Sequence, residues 1–341
     1  MKYTIFLIGY FIVLVVSPVL IGDEVTKVGT TAAPFLKVDM GSRAIGMGGA
    51  FVAISDDISG MYWNPSGITR INRTQVLFCH TQWIAEISFN YAGIAVPLGG
   101  MGTIGISSKF LSTDDLERTT IDQPDGTGEY FSVGSYMVGL TYAADLTDRF
   151  SIGGSAKFVQ EKIYHSSAQG VAFDVGTLFT TQFKDLTIGM SITNYGTKMR
   201  MGGRDMLMQV DVDELVSGNN DNINANLKTD AFELPLMFRV GIALDILKGI
   251  SNSNLTLAAD VLHPNDDVES LNLGGEYIFN HIFCLRAGYK ALFASDTQGG
   301  FSFGFGLRSK LFGSSGLHLD YGYLDFGILK EVQMFTIILD L

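Results

Sequence analysis

Phe301-Ser302-Phe303-Gly304-Phe305-Gly306-Leu307-Arg308 alternates without a break. In an extended chain, successive side chains point to opposite faces. Phe301, Phe303, Phe305 and Leu307 cover one face, and Ser302, Gly304, Gly306 and Arg308 the other. One face suits lipid and the other a polar lumen, which is the pattern of a transmembrane barrel strand. The same unit, about ten alternating residues and then a turn, recurs over residues 74–341.

Read outward from that stretch, the alternation predicts fourteen strands, at 74–82, 86–98, 101–112, 130–145, 148–163, 167–181, 185–194, 231–246, 253–263, 269–279, 281–293, 298–309, 316–326 and 331–341. Every second connection is short, and the two longest, 113–129 and 195–230, fall on the same side. Bacterial barrels have an even strand number, short periplasmic turns and longer outer loops. The expected fold is therefore all-β, an antiparallel transmembrane β-barrel of about fourteen strands over residues 74–341, with an N-terminal hatch over 23–73.

Composition agrees. The chain has 341 residues, 47% of them hydrophobic, yet the apolar residues are spread through alternating segments. After residue 22 no run reaches the ~18 apolar residues of a membrane helix. Residues 1–22 read as a secretory signal peptide, with Lys2 at the start, an apolar core from Ile5 to Val16, and Ser17, Pro18 and Gly22 near the cut. The expected location is the outer membrane of a Gram-negative-type bacterium, with outer-membrane lipid as the first partner. A net charge of −12 argues against nucleic acid, which needs a basic footprint.

No cofactor, metal site or enzymatic activity is expected. Cys79 and Cys284 each fall inside a strand with no ligand set nearby. His80, His165, His263, His281 and His318 are scattered, and no serine is framed as a nucleophile. On the inward faces of the later strands stand Asp260, Glu276, Arg286, Lys290, Arg308, His318 and Asp320. Mixed charges on neighbouring strands are expected to pair into a network that stiffens the lumen, with His318 and Asp320 as neighbours. Tyr130, Phe131, Tyr164 and Phe326 near strand ends suit aromatic girdles.

The most specific local motif lies ahead of the barrel. It runs Gly41-Ser42-Arg43-Ala44-Ile45-Gly46-Met47-Gly48-Gly49-Ala50-Phe51-Val52-Ala53, then Asp56-Asp57-Ile58-Ser59-Gly60-Met61-Tyr62-Trp63-Asn64-Pro65-Ser66-Gly67. Asp56 or Asp57 can cap a short helix through Trp63, and Pro65 disfavours helical geometry at Asn64. Gly46, Gly48 and Gly49 permit tight turns but make no phosphate loop, since neither a preceding strand nor a following Lys-Ser/Thr is present.

This stretch resembles the hatch of the FadL superfamily of outer-membrane proteins, and more closely its PorV/PorQ family. Further matching residues are Ala259-Asp260-Val261-Leu262-His263-Pro264-Asn265-Asp266, Leu271-Asn272-Leu273-Gly274-Gly275-Glu276-Tyr277, Leu285-Arg286-Ala287-Gly288-Tyr289-Lys290 and Leu319-Asp320-Tyr321-Gly322-Tyr323. Ser66 departs from the Ala common after Asn-Pro. The PorV likeness implies binding of the C-terminal sorting domain of type IX secretion cargo and its escort to surface attachment machinery. The FadL likeness implies the alternative, transport of hydrophobic small molecules such as fatty acids or aromatic hydrocarbons. For a protein partner, the long loop offers Met199, Met201, Met206, Leu207 and Met208, since exposed methionines make adaptable surfaces.

Overall fold

The computed structural model describes residues 28–84, 87–211, 222–247, 252–294, 299–310, 315–327 and 330–341. The leader expected over 1–22, the expected hatch residues 23–27 and residues 212–221 of the long loop lie outside them. Fourteen long strands follow in chain order: β1 (Gln75–Gln82), β2 (Ser88–Pro97), β3 (Thr103–Ser112), β4 (Val133–Thr147), β5 (Phe150–Ile163), β6 (Ser166–Thr180), β7 (Thr187–Gly196), β8 (Met237–Asp245), β9 (Ser253–Pro264), β10 (Ser270–Phe279), β11 (Phe283–Leu292), β12 (Phe301–Lys310), β13 (Gly316–Asp325) and β14 (Glu331–Asp340). Each pairs antiparallel with the next, and β14 returns to β1 from Gln75↔Asp340 to Gln82↔Gln333. The sheet is a closed barrel, the form in which strands satisfy their backbone groups inside lipid.

Side-chain alternation holds where the sequence placed it. Phe301, Phe303 and Phe305 are exposed, while Ser302 and Gly306, on the other face, are buried. Phe335 and Ile337 on β14 point outward and Met334, Thr336 and Ile338 inward. At the short-turn end, Asn280 and His281 both take positive φ, the geometry of a tight hairpin turn between β10 and β11.

Three expectations shift. Tyr130–Phe131 is not part of the barrel but pairs with Leu116–Glu117 in a hairpin beyond its rim. Ala231–Phe232 pairs with Met199–Arg200, and β8 starts only at Met237, because Pro235 has no N–H to give a ladder. Between β10 and β11 the register slips, with Leu273 opposite Tyr289 but Leu271 opposite Leu292. This bulge ends the alternation, and Ala291, which strict alternation from the outward Leu285 would turn to lipid, lines a cavity at the outer mouth instead.

Residues 28–73 fill the lumen. They form a 3-10 turn at Pro34–Lys37, helices α1 (Ser42–Gly46) and α2 (Gly60–Trp63), and a 3-10 turn at Pro65–Arg70. The segment starts at the long-loop end, where the Ala32 N–H donates to the Glu233 carbonyl (2.8 Å) and the Ala33 N–H to Glu161 (3.1 Å). It ends at the short-turn end, where the Thr74 carbonyl accepts from the Leu341 N–H at 2.9 Å.

Glycines on the barrel's inner wall receive it. A Cβ at Gly274 would lie 2.3 Å from the Met47 carbonyl oxygen, one at Gly189 2.4 Å from that of Val52, and one at Gly153 2.5 Å from Pro65. Gly46 and Gly304 are similarly close, as are Gly48 and Gly288. Hatch backbone thus lies directly against wall backbone on several sides of the barrel, and Gly48 does so at φ +66°, where a side chain would be strained.

Candidate functional site: the hatch and its two faces

The hatch folds around Asn64. Its side-chain N–H groups donate to the carbonyls of Val52 (2.9 Å) and Thr177 (3.0 Å), tying two hatch segments and β6 together. Its carbonyl oxygen accepts from the Ser66 hydroxyl at 2.7 Å, which accounts for serine at that position. Asn64 is extended, as Pro65 requires, and ends α2. Asp57 accepts from the Ser59 N–H at 2.8 Å just ahead of α2, whereas Asp56 turns to Arg43. Tyr62 and Trp63 stack edge to face at 5.2 Å and donate to the carbonyls of Leu36 (3.2 Å) and Met40 (2.8 Å). They knit the hatch to itself as much as to the wall.

The expected lumenal network exists, but its hub comes from the hatch. Arg43 donates to both oxygens of Glu276, at 2.9 and 2.8 Å, and to Asp57 at 2.9 Å, with Asp56 as a further partner. Arg286 donates to Glu276 and Asp320, each at 2.6 Å. Lys290 pairs with Asp39 of the hatch. Asp260 accepts the Phe51 and Val52 N–H groups at 2.7 and 2.8 Å. His318 does not partner Asp320; it meets Asp340 at 3.2 Å, because the adjacent strand brings that carboxylate to it. Arg308 makes no ion pair among the described residues. Burial alone would weaken the charge on Arg43, but Asp56, Glu276 and Asp57 outweigh it and hold its pKa above the ordinary value. Burial also opposes the Asp57 carboxylate, yet Arg43 and Ser59 hold its carboxyl below the usual range.

A second set of buried charges, not singled out from the sequence, stands on β3, β5, β6 and β8. Lys109 donates to the Val38 carbonyl at 2.5 Å and lies 4.9 Å from the Tyr62 ring centre. Arg239 lies over Trp63 at 5.3 Å and donates to Thr193. Lys157 pairs with Asp174 at 2.5 Å and donates to Asn194 at 3.1 Å, where the β6–β7 ladder is bulged. The alternation of β3, β5 and β8 points each of these cations inward, so strand pattern was the available signal.

Two cavities flank the hatch. The outer one, about 390 Å³, is lined by Trp83, Val38, Ile45, Met237, Leu262, Leu324 and Phe326, with Asp39, Arg239 and Lys290 at its polar edge. Trp83 packs edge to face on Phe326 at 5.2 Å, so Phe326 belongs to this pocket rather than to an aromatic girdle. The cavity on the short-turn side, about 570 Å³, is polar and lined by Arg43, Asp56, Arg70, Asp245, Glu276 and Arg308. Ile45 and Arg43, two residues apart on α1, thus serve opposite faces.

The methionine loop is less open than expected. Met199 is buried against Gly170, Met201 and Met206 are half-buried, and only Leu207 and Met208 are exposed. Pairing of Met199–Arg200 with Ala231–Phe232 folds the first methionine onto the barrel mouth.

The sequence profile of one family, described as uncharacterised protein family UPF0164, matches residues 17–209. The chain belongs to UPF0164. No curated protein matches it. Among solved structures, the UPF0164 chain is similar to the CymD monoaromatic hydrocarbon channel (14% identity, 89% of this chain and 96% of that chain, TM-score 0.56). It is also similar to the Pseudomonas putida toluene transporter TodX (10%, 88% and 96%, 0.53) and a Pseudomonas aeruginosa FadL homologue (11%, 88% and 97%, 0.51). At such identities the likeness is one of fold: this UPF0164 protein is a FadL-like, fourteen-stranded outer-membrane barrel. The fold agrees with the broader, FadL-like resemblance. The narrower one, to PorV and PorQ, gains no support from these comparisons, nor does cargo escort.

Proposed function

We propose that this protein takes up small hydrophobic molecules across the outer membrane. The observation that carries this reading is the outer pocket: mainly apolar with a charged edge, about 390 Å³, and set directly on the hatch at the end of the barrel with the long loops. Ligand pockets for small molecules are concave, mostly apolar and of this order, roughly 300–1,000 Å³. Trp83, Phe326, Leu324 and Leu262 supply the apolar walls. The hatch lies between this pocket and the polar cavity beneath it, an arrangement that supports capture before passage. The fold shared with hydrocarbon channels supports the same reading.

A direct test titrates the purified barrel with toluene and follows tryptophan fluorescence, because Trp83 lines the pocket while Trp63 is buried in the hatch. Saturable quenching is expected, and Trp83→Phe with Phe326→Ala should abolish it. Quenching that never saturates, or that persists unchanged in the double variant, would refute the pocket.

A further inference from the structure

Every cation deep in the lumen has a partner. Arg43, Lys157, Arg286 and Lys290 meet carboxylates, Lys109 meets carbonyls and aromatic rings, and Arg239 meets Thr193 and two hatch rings. The short-turn end of the barrel breaks this rule. There a cavity of about 670 Å³ is lined by Arg308, Lys310, His281 and His318, with Asp340 as the one carboxylate among its described lining residues. Asp340 is already engaged, by His318 at 3.2 Å and by the Gln75 amide at 2.8 Å. The side chains of Arg308, Lys310 and His281 make no hydrogen bond or ion pair with any described residue. In a chain of net charge −12, a cavity lined by Arg308 and Lys310 with one carboxylate already engaged is a local reversal of sign.

The place of this cavity says what would neutralise it. It lies between the β10–β11 turn and the facing ends of β12 and β13, at the periplasmic end. Its lining also includes Ile282, on that turn, and Leu307, on the lipid side of β12. Cations and an apolar rim therefore meet at the level of the inner-leaflet headgroups. Basic pockets at such a rim bind anionic lipid headgroups, and guanidinium and ammonium groups are the donors that phosphate oxygens take.

We propose that this cleft binds the phosphate of an anionic glycerophospholipid from the periplasmic leaflet, with Arg308 and Lys310 as its principal donors and Ile282 and Leu307 against the proximal acyl chain. Arg308 also lines the polar cavity beneath the hatch, so a bound headgroup closes one side of that cavity. The proposal does not depend on the uptake reading.

The test is native mass spectrometry of the full barrel in detergent, titrated in parallel with phosphatidylglycerol, phosphatidylcholine and inorganic phosphate. Phosphatidylglycerol adducts should survive mild activation and exceed phosphatidylcholine adducts about tenfold. Arg308→Gln with Lys310→Gln should reduce them about tenfold, whereas Lys162→Gln with Arg200→Gln at the other end should leave them unchanged. Lys310→Gln alone, at an exposed side chain, should give an intermediate loss and guards against a folding defect in the pair. Equal adducts in both double variants would overturn the proposal. So would full displacement of the lipid by millimolar inorganic phosphate, which would mark a site for soluble anions.

Discussion

The two faces of the hatch are built from different chemistry. Toward the outside, Ile45 and Val38 join Trp83, Leu324 and Phe326 around an apolar pocket. Toward the periplasm, Arg43, Asp56 and Arg70 join Glu276 and Arg308 around a polar one. A few residues of chain separate the two environments, since α1 sends Ile45 one way and Arg43 the other. An apolar solute gains by leaving water for the first and gains little from the second. On the proposed uptake reading, the asymmetry puts capture outside and release inside.

The strongest way to break this contrast is at the lower face. Glu276→Gln leaves the guanidiniums of Arg43 and Arg286 buried without the carboxylate they share. Removing one partner of a buried ion pair costs about 3–5 kcal/mol. The barrel should lose thermal stability, and planar-bilayer recordings should show open-pore conductance where the native protein is silent. The seal between the faces comes next. Gly274→Val places methyl groups against the Met47 carbonyl, and overpacking of this kind costs about 1–3 kcal/mol. Limited proteolysis should then cut the hatch while the barrel stays folded by its gel mobility.

At the outer face, Trp83→Ala removes one wall of the pocket. Affinity for a monoaromatic hydrocarbon should fall about tenfold, equivalent to about 1.4 kcal/mol, in equilibrium binding. The smallest effect concerns acid. Asp57 is held below its ordinary pKa in the folded hatch. Its stabilising contribution is thus complete above the unfolded value of about 3.9 and fades as pH falls through the lower folded value. Hatch protease resistance should decline below about pH 4 in the native protein, and Asp57→Asn should flatten that decline.

Much of this was legible in the sequence. Period-two alternation located all fourteen strands, because one lipid-facing side makes register visible in every strand. It failed where other physics intervened: at Pro235, where a ladder could not continue, and at the β10–β11 bulge, where one added residue turned Ala291 inward. Glu276 and Arg286 could be assigned to the lumen, but not their shared partner, because Arg43 reaches them across 233 positions of sequence to Glu276. The inner-wall glycines were visible as residues, yet their role depends on what lies opposite each. Phe326 read as a rim aromatic and Trp83 was not singled out, since only the closed barrel brings the β1 and β13 ends together over the hatch.

The central claim is tested most directly by uptake. In a Gram-negative host lacking its own channels for hydrophobic compounds, expression of this protein should give saturable accumulation of a monoaromatic hydrocarbon, and Trp83→Ala with Phe326→Ala should return it to the background of the empty host. Native-protein accumulation no faster than that background, with the barrel present and folded in the outer membrane, would contradict the account.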